Sequence, residues 1–173
     1  FYSAQLRGRF VEKRDLLAHY LDHGDREGLL PHPLFDPGYY AGEGSAGEGS
    51  AGEDSDPAMD RLSRLGHYLR SGGETGRDPH PLFQSAYYSG QLSRPLAEKE
   101  TLLGHYLARG ETESLKPNPL FDPLYYSTEA GTVGTSLLEH YVLQGGGAGL
   151  SPSRLFDSSW VLAQIPRSSE PKM

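Results

Sequence analysis

Cysteine is missing from all 173 residues. Disulfides and thiolate metal centres are therefore excluded, while export from the cell is not. Positive charge is scarce: 16 Lys and Arg stand against 23 Asp and Glu, for a net charge of −7. Phosphate backbones are bound by clustered Lys and Arg, so a nucleic-acid partner is not expected. Long apolar runs are lacking too, and nothing approaches the ~18 apolar residues of a membrane span. With a hydrophobic fraction of 36%, the core has to be modest and broken into pieces. The chain reads as cytoplasmic or membrane-peripheral, with secretion also allowed.

Glycine and proline are abundant. The 22 Gly and 13 Pro make up about a fifth of the chain, against roughly 12% in average usage. Many of them recur in register. "PHPLFDPGYY" begins at Pro31, "PHPLFQSAYY" at Pro79 and "PNPLFDPLYY" at Pro117. A second sentence, "LLAHYLDHG", "RLGHYLRSGG", "LLGHYLARGE" and "LLEHYVLQGG", places His-Tyr pairs at His19-Tyr20, His67-Tyr68, His105-Tyr106 and His140-Tyr141. Each His is followed 15 residues on by the Leu of a Leu-Phe pair: Leu34-Phe35, Leu82-Phe83, Leu120-Phe121 and Leu155-Phe156. Gly24, Gly72, Gly110 and Gly145 follow at 5 residues, and Pro31, Pro79, Pro117 and Pro152 at 12. Four matches at fixed offsets identify an internal repeat.

The variable part of the unit lies between the Tyr-Tyr pair and the next His-Tyr pair. Tyr2 to His19 and Tyr88 to His105 both span 17 residues, whereas Tyr40 to His67 spans 27. The extra length sits in the tandem "GEGSAGEGSAGED", whose Gly, Ser and Glu cannot bury enough apolar area to offset ordering entropy, so a mobile loop is expected there. Phe1-Tyr2-Ser3 aligns with Tyr39-Tyr40-Ala41. "RLFDSSWVLAQIP" is a fourth copy of the connector sentence, with Trp160 where Tyr39 stands. Both ends read as cut from a longer protein.

The His-Tyr segments are expected to be short helices. Leu16, Leu17, Tyr20 and Leu21 form an apolar stripe at helical spacing, and Gly24 is the expected left-handed residue past the end. Asp56-Pro57 reads as a cap followed by Pro at the first helical position, and Ser136 with Glu139 as a capping box. Asp36-Pro37 and Asp122-Pro123 start a second helix whose first turn holds the Tyr-Tyr pair. Between the two helices lies a Pro-rich connector whose Leu-Phe pair is expected to plug the gap. The predicted fold is all-α: short helix pairs, stacked into an irregular array because one unit cannot bury its apolar face alone. Residues 1–41 form a partial repeat and the start of the next, 42–56 the insert, 57–166 further repeats and 167–173 a tail or linker.

The pattern "PLFDPxYY…PLxHYLxxGxxEGRxPHPLFD" resembles the helical repeats found beside bacterial glycosyltransferase domains of surface-polysaccharide synthesis, and similar units occur in some large bacterial secreted proteins. The resemblance covers nearly the whole chain outside the insert. "WVLAQIP" is similar to that family's "WYLxxNPDV" segment, and "SEPKM" to the lead-in of a nucleotide-sugar transferase domain. "REG" at Arg26–Gly28 fits the pattern, while "ETG", "ESL" and "AGL" depart from it in later copies. The resemblance implies an accessory role and carries over no catalytic residue.

The four motif histidines are candidate ligands or bases. Each helix is read as offering one histidine without a second at i+4, the spacing of a zinc helix. The structural reading is that each imidazole bonds a connector carbonyl and fixes the turn. His23, His32 and His80 read as loop or surface residues. Tyr39, Tyr87 and Tyr125 are candidates for a glycan platform. The competing reading makes one Tyr of each pair core and the other a half-exposed edge. Asp36, Asp122 and Asp157 suit helix caps better than calcium, since no alternating-acid loop surrounds them. "GEGSAG" lacks the GK[ST] of a phosphate loop. No catalytic residue, cofactor or metal set is expected. Two functions stand: a non-catalytic interaction or spacer module that docks on other domains of its parent chain, a partner protein or a glycan, and a part of a transferase assembly that contributes a glycan-binding surface.

Overall fold

A computed structural model describes residues 1–6, 12, 15–42 and 62–165. Among these residues the chain is all-α, with helices and no strand or sheet. No helix among them is long and apolar enough to cross a membrane. The insert beyond Gly42, the Asp56-Pro57 cap and the "SEPKM" tail lie outside the described residues. The chain forms two compact units, Phe1–Asn118 and Pro119–Met173.

In the first unit a 3₁₀ helix, Tyr2–Leu6, precedes the short helix Leu16–His19, then Pro37–Tyr40, Arg64–Thr75, Ser85–Ser89 and Leu102–His105. The second unit holds Pro123–Ala130, Leu137–His140 and Ser158–Gln164. Side chains start most of them. Asp36, Asp122 and Asp157 each accept the N–H three residues on, from Tyr39, Tyr125 and Trp160, at 2.9–3.1 Å. Pro37 and Pro123 occupy the first helical position, where a missing N–H costs nothing. The histidine helices are capped by Ser63, Thr101 and Ser136, whose hydroxyls accept from Gly66, Gly104 and Glu139. Supplying these caps satisfies N–H groups that the first turn of a helix otherwise leaves open.

None of the four His-Tyr segments has its left-handed residue at the expected glycine: Arg64–Thr75 runs past Gly72 to Gly76, and the other three continue differently. The helix widens into a π turn over Tyr20–Gly24, Tyr106–Gly110 and Tyr141–Gly145. Bonds five residues apart then close the turn: Gly24 O accepts from Leu29 N, Gly110 O from Leu115 N and Gly145 O from Leu150 N, at 2.8–2.9 Å. The left-handed residue comes four positions later than Gly24, at Gly28 (φ 70°), Gly76 (65°), Ser114 (58°) and Gly149 (84°). Each lies 9 residues past its histidine.

The expected leucine stripe is also corrected. Leu17 is 65% exposed and Leu21 53%. Burial in this segment runs through Tyr20, Gly24 and Asp25, because the wide turn directs residues four and five apart inward. In the connectors phenylalanine is the plug. Phe35, Phe83 and Phe121 are buried, and Phe156 is half-buried. Leu34 is buried as expected, whereas Leu82 is half-buried, Leu120 exposed and Leu155 92% exposed. Each buried Phe meets two tyrosines. Phe35 lies 5.5 and 5.4 Å from Tyr40 and Tyr68, Phe83 5.1 and 5.6 Å from Tyr88 and Tyr106, and Phe121 5.2 and 5.8 Å from Tyr126 and Tyr141, between ring centroids. The tyrosines within each trio meet edge to face at 85–90°, the arrangement their quadrupoles favour.

Consecutive connectors are joined through the backbone. Asp36 N donates to Pro79 O at 2.8 Å and Gln84 N to Pro117 O at 2.9 Å in the first unit, and Asp122 N donates to Pro152 O at 2.9 Å in the second. Within a connector, Phe35 N donates to His32 O, Phe83 N to His80 O and Phe156 N to Ser153 O. His32 and His80 turn their Nδ1 atoms to the N–H of Leu34 and Leu82, each at 3.1 Å. These histidines therefore shape the connector. Burial lowers the basicity of His80, which keeps its ring neutral and able to accept.

Candidate functional site

Each Tyr-Tyr helix sends its second tyrosine to the histidine that follows it, and Tyr2 of the Phe1-Tyr2 pair does the same. Tyr2 Oη lies 2.9 Å from His19 Nδ1, Tyr40 Oη 2.8 Å from His67 Nδ1, Tyr88 Oη 2.7 Å from His105 Nδ1, and Tyr126 Oη 2.7 Å from His140 Nδ1. Nδ1 thus takes a tyrosine hydroxyl rather than the connector carbonyl expected. With the ring proton on Nε2, the hydroxyl donates and the imidazole accepts.

Glycine makes this approach possible. A Cβ on Gly24, Gly110 or Gly145 would overlap the hydroxyl of Tyr2, Tyr88 or Tyr126. The glycine five residues past the histidine is there for space, so that a phenol can reach the imidazole across the π turn. The His-Tyr tyrosines are anchored separately. Tyr20 donates to Asp25 Oδ1 at 2.8 Å and Tyr106 to Glu111 Oε1 at 2.9 Å. Tyr68 Oη accepts from Leu103 N at 3.1 Å. Asp25 in turn takes Arg64 N at 3.0 Å, and its carbonyl takes the Arg64 guanidinium at 2.9 Å. Tyr141 Oη pairs with Ser158 Oγ at 3.2 Å.

Burial pushes Tyr20, Tyr88 and Tyr106 well up, with Asp25, Glu113 and Glu111 adding to it respectively. Tyr126 is pushed up to about 12 by burial, with Tyr141 contributing. A phenol held neutral across the physiological range donates a hydrogen bond but does not exchange its proton usefully, so the Tyr88–His105 and Tyr126–His140 contacts are poor general acid–base pairs.

The two members of each Tyr-Tyr pair differ. Tyr40, Tyr88 and Tyr126 are fully buried, while Tyr39, Tyr87 and Tyr125 are half-buried. Trp160, at the same register, is 65% exposed. Asp36, Asp122 and Asp157 serve as caps. Among the described residues no group of three or more His, Asp or Glu side chains is placed to hold a metal ion. The expectation of one histidine per helix, with none at i+4, is corrected in the first copy: His23 follows His19 by four, and their rings lie 5.7 Å apart.

Compared with family models, curated proteins and solved structures, the chain matches none of them.

Proposed function

We propose that this chain is a non-catalytic helical-repeat module of a larger bacterial protein, accessory to a glycosyltransferase of surface-polysaccharide synthesis, which docks other domains of its parent or a partner protein. One observation carries the non-catalytic reading: in all four copies the motif histidine is hydrogen-bonded to a phenol from the same repeat. The most reactive recurring side chain is thereby committed to holding two helices together. The association with a transferase rests on the repeat pattern's resemblance alone. The expressed chain is expected to fold and to turn over no nucleotide sugar. Removing it from its parent is expected to impair assembly or substrate capture, with the parent's kcat intact. A fall in kcat with assembly unchanged would favour the transferase-assembly reading.

A glycan surface is the second reading. It is favoured by the recurrence of a half-buried aromatic beside each buried one, since a flat apolar ring suits sugar C–H groups. The acidic balance selects a neutral or basic ligand over a strongly anionic polymer. Tyr87→Ala with Tyr125→Ala is expected to leave the fold in place, because neither ring belongs to the aromatic trios. Glycan-array binding that disappears in this variant supports the platform. Equal binding by parent and variant removes it.

A further inference from the structure

We propose that His19 and His23 form a chelating site for a late first-row divalent cation, a site that the other repeats do not contain. The pair sits on consecutive turns of one segment, Leu16–His19 running into Tyr20–Gly24. Their ring centroids are 5.7 Å apart at 61°. Ligand bonds from imidazole to such ions are about 2.0–2.1 Å long, so two rings at this separation can turn their nitrogens toward one ion. Both are accessible: His19 is half-buried and His23 exposed. His19 Nε2 and both ring nitrogens of His23 have no hydrogen-bond partner among the described residues, while His19 Nδ1 faces the Tyr2 hydroxyl.

That last contact is the arrangement metal-binding histidines use. A ligating imidazole is commonly oriented by a hydrogen bond at its other nitrogen. With an ion on Nε2, the proton moves to Nδ1 and donates to the Tyr2 oxygen, so the bond reverses direction and is kept. Imidazole ligands suit zinc, copper and nickel rather than the hard oxygen-loving ions. Two protein ligands leave the remaining positions to water or to a donor from a second molecule.

The equivalents of His23 explain why the site is confined to the first repeat. Four residues past the other histidines stand Ser71, Arg109 and Gln144, none of which offers an imidazole. His67 and His105 are buried as well.

The test is calorimetric titration of the full chain with nickel and zinc chloride in a non-chelating buffer. One ion per chain is expected. His23→Ala should weaken binding at least tenfold, while its metal-free circular dichroism and melting point match the parent. The ion should raise the parent's melting point and not the variant's, as mass action requires of a ligand bound only by the folded chain. Gln144→His, which sets a second histidine four residues past the half-buried His140, should raise the stoichiometry to two. Equal affinity in parent and His23→Ala would overturn the proposal, as would no binding at millimolar ion. A stoichiometry of one in Gln144→His would overturn the spacing argument.

Discussion

Two copies of the same contact sit in different surroundings. In the first unit 17 residues separate Tyr88 from His105, and in the second 14 separate Tyr126 from His140, yet both hydroxyls stand 2.7 Å from Nδ1. Tyr40 and His67 reach 2.8 Å across 27 residues. The chain between the partners is free to vary, and the cluster that it closes is not. The copies differ in burial instead. His105 is buried and His140 is half-buried, while both phenols are fully buried, so the same bond is worth more in the first unit, where water has less access from the histidine side to replace a lost partner.

The largest expected effect comes from filling the space that both copies keep open. Gly110→Ala places a methyl against the Tyr88 hydroxyl and 2.8 Å from Tyr106 Cδ2. Overpacking and loss of the Tyr88–His105 bond together should cost about 3 kcal/mol. Urea unfolding measures it, and Tyr88→Phe in the same chain should recover part of the loss, a non-additivity that identifies the clash. Full additivity of the two substitutions would show that the glycine serves something other than the phenol.

Next in size is the difference between the histidines. His105→Ala should destabilise by about 2 kcal/mol and His140→Ala by about 1 kcal/mol, since water can replace the lost partner more readily at the half-buried site. Thermal melts of the two variants side by side test the ranking, and equal losses would remove burial as its cause.

The smallest effect tests the tolerance of the variable segment. Deleting residues 42–51 shortens the Tyr40–His67 separation to that of Tyr88–His105. Closure entropy depends weakly on loop length, so stability should shift by no more than about 1 kcal/mol. A loss of several kcal/mol in a denaturant titration would show that the insert does more than connect.

Much of this was legible from spacing. The fixed offsets from each histidine to its glycine, proline and Leu-Phe pair located the helices and the connector, and Asp36, Asp122 and Asp157 announced their caps. What escaped was whatever the chain disguises. The Tyr–His bond hides behind separations of 14, 17 and 27 residues, where no periodicity can reveal it. The left-handed position was missed because Ser114 occupies it in one copy, and because a glycine already stood where an ordinary α-helix would end. The role of that glycine could not be read without the phenol above it. Leu120 and Leu155 looked like core by analogy with Leu34, but a residue type gives no information about which neighbour covers it. The reading of one histidine per helix fails at His19 and His23, because the recurring motif carries only the first of the two.

The joint between connectors uses an amide N–H from Asp36, Gln84 or Asp122 and a carbonyl from Pro79, Pro117 or Pro152. Proline has no N–H, so it can only accept, and the joint has a direction. The donor's side chain takes no part in it, and Asp and Gln serve equally. Genetically, such a link asks of the codon on its donor side only that it not encode proline. A unit copied by unequal crossing-over would arrive with a working attachment at both of its ends. The gene could grow or shrink by whole units without a second, compensating mutation, leaving the loops between them as the place where each copy diverges.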